Sequence, residues 1–471
     1  MKLQQHRSLY IIVDVLASIA SWTLFFIYRK KVVESALFGH DVPLHFNERY
    51  VIAILTLPFF WFVLHYLSGY YKEVMRKSRL LELWQTFLTS LIGTIILFYF
   101  LLLDDYVPNH QTYYQLSLSL FLFQFGCTYL PRVTMTSLKA NLIQKGVLSF
   151  NTLIVGSDQR AKDLTDKLKN QKKRTGNQLI GFVRINGDQD MLLQKEMPLL
   201  GGLTDLETLI KEKEVSEVII ALEPSEHDKL VAIINELHGC TVTIKAIPSM
   251  YDILSGKVKM TQIYNTPLIE LSHRLMPTWQ IHTKQALDYL SALLALVLFS
   301  PLFLFIAAGI KLTSKGPVIF TNERIGKFGR PFTLYKFRSM YLDAEKEGPA
   351  LSSKNDSRIT PFGRFLRKTK LDELPNFINV LKGDMSLVGP RPERQYFIDK
   401  IIQIAPHYLH LQKVKPGITS WGQVKFGYAE NVDEMVERLK YDLLYIENMS
   451  LYIDFKILIY TLIIIFRGRH I

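Results

Sequence analysis

Blocks of apolar residues as long as a bilayer is thick are the feature that most limits how this chain can fold. Four of them lie in the first third of the sequence, at residues 8–28, 50–70, 84–103 and 113–131. Each is about 20 residues long, the length that an α-helix needs to cross the hydrocarbon core of a membrane. The first is too long to be a signal peptide and lacks a cleavage site of small residues. The sequence therefore predicts four transmembrane helices within residues 1–140.

Positive charge indicates which way these helices run. With the N-terminus inside, the cytoplasmic segments hold most of the basic residues of this region: Lys2, Arg7, Lys72, Arg76, Lys77, Arg79, Arg132, Lys139 and Lys145. The outer loop DDYVPNH, residues 104–110, has no Lys or Arg, whereas Arg29, Lys30, Lys31 and Arg49 oppose the pattern. Because cytoplasmic loops are enriched in Lys and Arg, we expect the chain to return to the cytoplasm after the fourth helix.

The whole chain carries a formal net charge of +13. In a membrane protein this charge suits anionic lipid headgroups and phosphorylated substrates, and no nucleic-acid partner is expected. Cys127 and Cys240 lie far apart in the sequence, so no disulfide framework or cysteine metal site is predicted.

Residues 150–265 have a different pattern, typical of a small α/β domain. Short β-branched runs, NTLIVGS, SEVIIAL and TVTIKAIP, alternate with charged helical segments such as RAKDLTDKLKNQ. This alternation predicts a doubly wound, Rossmann-like sheet. The turn after the first strand, residues 156–160, lacks the G-x-G-x-x-G spacing of a dinucleotide site. The sequence favours a module that has kept the fold without the cofactor, and a nucleotide pocket stays open as the alternative.

A proline divides a further apolar segment, residues 284–311, which contains LALVLFSPLFLFIAAG. As a straight helix, residues 288–310 would measure about 34 Å, enough to cross a bilayer core of about 30 Å. Pro301 removes one amide donor, and its ring collides with the carbonyl of Val297. The hydroxyl of Ser300 can bind a carbonyl that is freed in this way. Two structures stay open: a kinked helix that spans the membrane, and a bent helix whose arms return to one face.

The densest set of charged residues is RKTKLDELPNFINVLKGDMSLVGPRPER, residues 367–394. Asp372 precedes a short apolar-periodic helix with Pro375 in its first turn, which is the place of an N-cap. Glu373 would then complement the helix dipole. The same arrangement directs two carboxylates and a positive helix end at one point, which suits a phosphate substrate that carries Mg²⁺. The capping and the catalytic interpretation are both open at this point.

Basic residues on both sides of the carboxylate pair favour a phosphate site. They are Arg364, Arg367, Lys368 and Lys370 before it, and Arg391 and Arg394 after it. Pro390 and Pro392 fix the backbone around Arg391, and a stiff loop is well suited to hold a guanidinium against phosphate. A charge cluster of this kind is also typical of a solvated surface.

Three blocks of this region resemble the bacterial sugar transferase family, the polyisoprenyl-phosphate hexose-1-phosphate transferases. They are LDELPNFINVLKGDMSLVGPRPE, TNERIGKFGRPFTLYKFRSM and KPGITSWGQV, and the resemblance covers residues 280–471. The order of the segments resembles the long-form members, which start exopolysaccharide, capsule or O-antigen synthesis. The implied fold is a membrane protein with four N-terminal transmembrane helices (1–140), a degenerate Rossmann-like α/β module (150–265) and a C-terminal α-rich catalytic domain (280–471) with a re-entrant membrane helix.

The resemblance implies a reaction in which a UDP-sugar and undecaprenyl phosphate give undecaprenyl-diphosphate-sugar and UMP, with Mg²⁺. Glucose and galactose are the hexoses that it favours. The family's nucleophile falls on Asp372, which would hold the sugar phosphate covalently, and the metal-binding partner falls on Glu373. Phosphate binding is assigned to Arg367 and Arg391, and also to Lys336 and Arg338 of KFRSM.

The family's re-entrant helix has a Ser-Pro break, which falls here on Ser300 and Pro301. We therefore expect residues 284–311 to turn back, with Lys284 and Lys311 at the same anionic membrane surface. The catalytic domain would then lie on the cytoplasmic face of the bacterial inner membrane. The tail YIDFKILIYTLIIIFRGRHI is too short to span, and we expect it to lie in the membrane interface among lipids. A homodimer and other polysaccharide-assembly proteins are open as partners.

Some positions depart from the family pattern. Asn322 stands where a glutamine is usual, Ser420 replaces the second glycine of the P-G-I-T-G block, and Gln285 occupies a usually basic place. These departures bear on sugar choice and loop geometry. Four further residues fit the family, with a helix packed under the active site as the alternative role: Lys440, Tyr441, Asp442 and Asp454.

Two other functions compete with this one. A non-catalytic membrane scaffold for polysaccharide assembly would tolerate loss of the Asp372–Glu373 pair, so the intact pair counts against it. A membrane-bound nucleotide-sugar oxidoreductase or dehydratase would need a glycine-rich fingerprint, which residues 156–160 do not supply.

Overall fold

A computed structural model shows the chain as two compact units. The first holds residues 1–149 together with 172–177, and the second holds the rest. The structure describes residues 2–72, 74, 77–102, 110–170, 176–185, 192–222, 226–237, 239–240, 242–250, 268–271, 275–342, 344, 356–427 and 429–467. Most of the predicted outer loop (104–109) and the end of the predicted α/β module (251–265) lie outside the described residues.

The first unit is built from helices. Their bounds are Lys2–Tyr28, continued through a π-helical turn at Arg29–Glu34 into Ser35–Phe38, then Glu48–Leu67, Arg79–Leu97 with a π-helical turn at Phe98–Leu102, and His110–Gln144. The side chains of Asn47 and Ser78 cap two of these helices, since each accepts a hydrogen bond of 3.1 Å from the backbone amide three residues on. Such caps satisfy amide groups that the start of a helix leaves unpaired.

Three segments among the described residues are long and apolar enough to cross a membrane. They are Arg7–Phe38, Glu48–Leu67 and Arg79–Phe100. The fourth predicted span, residues 113–131, lies inside helix His110–Gln144, which does not meet the same criterion. Polar side chains such as Gln115 and Gln124 lower its apolar character. N-terminal helices that are long and apolar enough to span a membrane are thus confirmed, and the fourth crossing stays a prediction.

Buried charged groups hold three helices of the first unit together. Arg132 Nε and Nη2 donate to the two carboxylate oxygens of Asp14 at 2.8 and 2.7 Å. The Tyr71 hydroxyl also donates to Asp14 at 2.7 Å, and Arg132 Nη1 donates to Thr86 at 3.1 Å. Arg132, one of the basic residues that the sequence assigns to the cytoplasmic side, is fully buried. Its charge is accommodated because Asp14 neutralises it and three of its nitrogens are hydrogen-bonded.

This network predicts a large loss of stability on removing one partner. Arg132→Met leaves the Asp14 carboxylate buried without its cation, and breaking a buried pair in this way costs about 3–5 kcal/mol. We expect a clearly lower thermal unfolding midpoint in detergent. Lys30→Met is the control, because the partly exposed Lys30–Glu34 pair should contribute about 0–1 kcal/mol. Equal midpoints for the two variants would contradict a stabilising role for the network.

The second unit begins with a six-stranded sheet, an α/β fold of the predicted kind. Its strands are β1 Phe150–Val155, β2 Asn177–Arg184, β3 Leu199–Gly202, β4 Glu217–Ile220, β5 Thr243–Ala246 and β6 Ile269–Glu270, in the order β3-β2-β1-β4-β5-β6. The pairs β1–β4, β2–β3 and β4–β5 are parallel, and β6 is antiparallel to β5. The accompanying helices are Gln159–Lys169, Leu206–Glu212 and His227–Glu236.

One glycine forms the turn after β1. Gly156 has a φ of +125°, and a Cβ atom there would lie 2.6 Å from the carbonyl oxygen of Ala221. Asp158 begins the next helix, since its carboxylate accepts from Ala161 N at 3.0 Å. The chain after β4 passes so close to this turn that only glycine fits. The presence of glycine is therefore explained without a bound ligand.

The rest of the second unit is mainly helical, as predicted. The helices are Thr278–Leu298, Ser300–Thr313, Pro361–Lys368, Asn376–Lys382, Gln395–Ile404, Trp421–Lys425, Val432–Glu447 and Leu451–Arg467. Two small sheets complete it: β7 Ile319–Ile325 is antiparallel to β8 Pro331–Phe337, and β9 Ser386–Val388 is parallel to β10 Gly417–Thr419. Helix Leu451–Arg467, the tail helix, contains the run expected at the membrane interface, and that location stays a prediction.

The Ser-Pro break divides the apolar segment into two helical arms. The first arm, Thr278–Leu298, and the second arm, Ser300–Thr313, meet at an angle of 60°. The Ser300 hydroxyl donates to the carbonyl of Val297 at 2.8 Å, so the predicted compensation for Pro301 is confirmed. Both a broken span and a re-entrant helix have such a bend, and re-entry stays a prediction.

Accessibility of the two arm ends distinguishes these alternatives. Single cysteines at 283 and 313, in a chain whose Cys127 and Cys240 are replaced, can be labelled with a thiol reagent that does not cross membranes. If the helix turns back, both sites should stay protected in intact cells and react once the membrane is opened. Labelling of the 313 site alone in intact cells would show that the segment spans.

Candidate active site

The predicted carboxylate pair lies in a short 3₁₀ turn, Leu371–Glu373. The preceding residue, Lys370, has a left-handed backbone with φ of 60°, a conformation that costs a non-glycine residue about 1–2 kcal/mol. Leu371 and Leu374 hold the turn by packing into an apolar cluster beneath it. Asp372 itself is buried. A strained backbone conformation that the surrounding packing holds in place is typical of a functional site.

The capping interpretation of Asp372 is wrong. The helix that follows spans Asn376–Lys382, and its N-cap position is Pro375, which has no side-chain cap. Asp372 belongs to the 3₁₀ turn, and Leu374 and Pro375 come before the helix starts at Asn376, so the carboxylate is not at the N-cap position. Asp372 therefore lacks the local structural role that would have explained it without catalysis.

Strand β8 brings a lysine to the second carboxylate. Asn379 joins the helix Asn376–Lys382 to this strand, because its amide nitrogen donates to Thr333 O at 2.7 Å and its oxygen accepts from Tyr335 N at 3.2 Å. This attachment places Lys336 beside the turn, where its Nζ donates to Glu373 Oε1 at 2.7 Å. The predicted Lys336 thus belongs to the site, as a direct partner of Glu373.

The two adjacent carboxyl groups have opposite pKa shifts. Burial raises the pKa of Asp372, and the neighbouring charge of Glu373 raises it further. Three cations oppose this rise without cancelling it: Lys336, Arg367 and Lys370. Burial would also raise the pKa of Glu373, but Lys336, Arg391 and Lys370 outweigh burial and hold it well below its usual range. Near neutral pH Glu373 is a fixed anion, whereas Asp372 is the group that titrates.

Arg391, the second arginine assigned to phosphate from the sequence, lies in the loop after β9 and approaches the carboxylate pair. Arg391 Nη1 lies 3.6 Å from Glu373 Oε1. The next acidic residue, Glu393, is buried and pairs with Arg438 at 2.7 Å and with Arg324 at 3.1 Å. Glu393 therefore fixes the loop that carries Arg391. In the sequence, only the position of Glu393 between the basic residues Arg391 and Arg394 indicates this role.

Arg367 and Arg338, the two remaining residues assigned to phosphate from the sequence, have different hydrogen-bond partners. Arg367 Nε donates to Ser339 Oγ at 2.8 Å, and the charge of Arg367 acts on Asp372. Arg338 donates at 2.8–2.9 Å to the carbonyls of Lys315 and Ser314, just after the second arm. Arg338 thus anchors the end of this arm, a role that the sequence did not suggest, and its assignment to phosphate stays a prediction.

A cavity of about 240 Å³ lies beside the turn. Its charged lining comes from Lys370 and Glu373, and most of the remaining lining is apolar. Burial lowers the pKa of Lys370 to about 8. In the sequence, Lys370 is one of several basic residues near the carboxylate pair. Only the fold shows that it lines a cavity.

A buried polar network joins the first arm to the site. Asp288 accepts from Ser386 Oγ at 2.7 Å and from Leu387 N at 3.1 Å, both in β9. Lys284 donates to Val388 O at 2.9 Å and to Asp454 at 2.7 Å. The direct partner of Lys284 is thus Asp454 of the tail helix, and its location at the membrane surface stays a prediction.

Asp454 and Asp442 both have structural partners in this fold. The Tyr445 hydroxyl donates to Asp454 at 2.7 Å, and Asp442 accepts from Gly422 N at 2.9 Å. These contacts favour the interpretation of helix Val432–Glu447 as a support packed under the site. Two of the residues that depart from the family pattern also have hydrogen-bond partners. Ser420 Oγ accepts from Gln423 N, and Asn322 Oδ1 accepts from Arg394 Nε.

The carboxylates suit a metal ion that arrives with its substrate. Mg²⁺ is usually bound through one or two protein carboxylates together with substrate phosphates and water. The turn offers the carboxylates of Asp372 and Glu373. Within the described parts of the chain, no group of three or more His, Cys, Asp or Glu residues is arranged for a metal ion. The donor set thus fits an ion shared with phosphate groups and does not form a closed protein site.

Comparison with known proteins identifies the family. The sequence model described as bacterial sugar transferase matches residues 279–468, and one described as a CoA-binding domain matches residues 66–248. A UDP-glucose:undecaprenyl-phosphate glucose-1-phosphate transferase from Caulobacter vibrioides is 41% identical over 38% of this chain and 67% of its own length. The chain belongs to the bacterial sugar transferase family.

Two further relatives of this bacterial sugar transferase are similar over more of the chain. A UDP-N-acetylgalactosamine-undecaprenyl-phosphate N-acetylgalactosaminephosphotransferase from Aeromonas hydrophila is 40% identical over 48% of this chain and 53% of its own length. A UDP-glucose:undecaprenyl-phosphate glucose-1-phosphate transferase from Xanthomonas campestris pv. campestris is 36% identical over 61% of this chain and 60% of its own. The matches thus span between about half and two thirds of these relatives' lengths.

The charges around Asp372 predict that this carboxyl group titrates at an unusually high pH. The Asp372 carboxyl should lose its negative charge at a higher pH than an ordinary aspartate, because its pKa is raised. Lys336→Met removes an opposing cation and should move this titration to still higher pH, whereas Lys368→Met, at an exposed position, should not. Infrared titration of the carboxyl band, assigned by its loss in Asp372→Asn, measures the shift. A midpoint at or below that of an ordinary aspartate would contradict the charge arrangement.

Proposed function

We propose that this protein transfers a hexose-1-phosphate from a UDP-sugar to undecaprenyl phosphate and releases UMP. The observation that carries the proposal is a buried carboxylate, Asp372, among cations and beside an ion-paired carboxylate. The names of the relatives specify glucose for two and N-acetylgalactosamine for one. Glucose and galactose remain the sugars favoured for this chain. The product would start the synthesis of an exopolysaccharide or capsule-type glycan.

The first step is a displacement at the phosphorus that carries the sugar. An oxygen of Asp372 forms a bond to this phosphorus, and the bond between the phosphorus and the bridging oxygen breaks. UMP leaves with that oxygen and the electron pair, and the sugar phosphate stays on Asp372 as an acyl phosphate. Covalent catalysis by a carboxylate divides one difficult transfer into two easier ones.

The cations around Asp372 have separate tasks in this step. Arg367 and Arg391 would bind phosphate oxygens, for which the planar guanidinium is well suited. Lys336, whose Nζ lies 2.7 Å from Glu373 Oε1, would favour the ionised form of Glu373. A Mg²⁺ ion held by Glu373 and the diphosphate would neutralise charge that develops on the phosphates. The excess of cations over carboxylates thus favours a polyanionic substrate over a neutral one.

The second step transfers the sugar phosphate to the lipid. A phosphate oxygen of undecaprenyl phosphate attacks the same phosphorus, and Asp372 leaves as a carboxylate. The product is undecaprenyl-diphosphate-sugar, and the enzyme returns to its initial state. Because UMP leaves before the lipid reacts, this sequence predicts ping-pong kinetics.

Because undecaprenyl phosphate is the acceptor, the active site must lie near the lipid phosphates. The bent segment supports such a location. Large apolar side chains are exposed along both arms, among them Leu294 at 66% and Leu304 at 75%. Exposed apolar surface of this extent is typical of lipid contact. We therefore place the catalytic region on the cytoplasmic face of the inner membrane, with the two arms as a re-entrant helix.

Replacing the nucleophile tests this proposal. With UDP-glucose, UDP-galactose or UDP-N-acetylgalactosamine, undecaprenyl phosphate and Mg²⁺, the wild-type protein should release UMP with at least one of the three sugars. Asp372→Asn should lower this rate by more than about a thousandfold, because an amide cannot replace the attacking carboxylate. Glu373→Gln should also be strongly impaired, through weakened binding of the metal ion.

Asp399→Asn is the matched control. Asp399 is exposed on helix Gln395–Ile404, so its loss should leave UMP release unchanged. If Asp372→Asn released UMP as fast as this control, the covalent mechanism would be wrong. If the wild-type protein released no UMP with any of the three sugars, the non-catalytic scaffold would be the better interpretation.

A further inference from the structure

The cavity beside the catalytic turn has the shape of a site for an amphiphile. Lys370 and Glu373 line it near the nucleophile. Its apolar lining includes Leu374 and Phe377 after the turn and Ile418 of β10. The apolar part exceeds what a nucleotide or a sugar needs, because both of these are polar over most of their surface.

The tail helix forms one wall of this cavity. Its lining residues Leu458, Thr461 and Ile464 follow one another at intervals of three, and therefore lie along one face of the helix. The residues between them, Ile459 and Leu462, are 56% and 54% exposed. A helix that is apolar on all sides is typical of a lipid environment. A hydrocarbon chain that lies along this helix would therefore meet apolar side chains on both its cavity face and its exposed face.

An unsatisfied polar group marks the same cavity. The amide oxygen of Gln423, which also lines it, is buried and has no hydrogen-bond partner among the described residues. Buried polar atoms are nearly always paired in folded proteins, so an unpaired one in a cavity indicates a place for a ligand group. The cavity therefore offers a cation and an unpaired polar atom together with a largely apolar lining.

We propose that this cavity binds the first isoprene units of the polyprenyl phosphate acceptor, with the acceptor phosphate beside Lys370 and next to Asp372. The inference rests on the proposed function and goes beyond it, since it separates the lipid side of the site from the nucleotide side. The tail helix is then part of the acceptor site. Burial of the hydrocarbon against Leu458, Ile464 and Phe377 would supply apolar binding energy.

Filling the cavity separates the two half-reactions. Exchange of labelled UMP into UDP-sugar, without lipid, reports the first step, and transfer to undecaprenyl phosphate reports both. Leu458→Trp and Ile464→Trp should leave exchange unchanged but lower kcat/KM for undecaprenyl phosphate by about tenfold or more, the equivalent of two buried methylene groups. Leu462→Trp, on the exposed face of the same helix, should alter neither reaction.

The exchange reaction also shows whether each variant is folded. Normal transfer by both cavity-filling variants would overturn the proposal. Loss of exchange in a variant that keeps the thermal unfolding midpoint of the wild-type protein would overturn it too, since the cavity would then serve the nucleotide. An equal fall in transfer by Leu462→Trp would mean that the whole helix matters rather than its cavity face, and would overturn it too. Failure of the proposed function is a separate result, in which the wild-type protein catalyses neither reaction.

Discussion

The ion pair between Lys336 and Glu373 is the contact on which the rest of the site depends. Two adjacent buried carboxyl groups cannot both carry a negative charge without a compensating cation. Lys336 Nζ lies 2.7 Å from Glu373 Oε1, and its charge is the largest of those that lower the pKa of Glu373. Burial and the charge of Glu373 raise the pKa of Asp372. Asn379 fixes β8 to the helix after the turn, so two hydrogen bonds of its side chain help to position the lysine that acts on both carboxyl groups.

The sequence was most informative where interactions are local. The hydroxyl of Ser300 and the carbonyl of Val297 are three residues apart, and their bond could be predicted because proline chemistry demands a partner. The resemblance to a family likewise located Asp372 and Glu373 without any knowledge of the fold. The local argument failed at the N-cap, because the pattern does not reveal the 3₁₀ turn that separates Asp372 from the helix.

Long-range contacts were beyond prediction from the sequence. Lys284 and Asp454 are 170 residues apart, and nothing in either segment indicates the other. Arg132 and Asp14 are 118 residues apart, and a basic residue near a helix end is normally a surface charge. Arg338 lies in a block that the resemblance connects with phosphate, yet its nitrogens hold the end of the second arm. In each case the partner that determines the role comes from a distant part of the chain.

The network around Lys284 also joins the bent apolar segment to the candidate active site. Lys284 and Asp288 of the first arm bind β9 directly, and β9 leads into the loop that carries Arg391. Through Asp454 the same lysine binds the tail helix, which lines the cavity beside the turn. A change in the position of the first arm would therefore move the arginine on one side of Asp372 and the cavity wall on the other. The position of this arm and the geometry of the candidate active site are consequently linked.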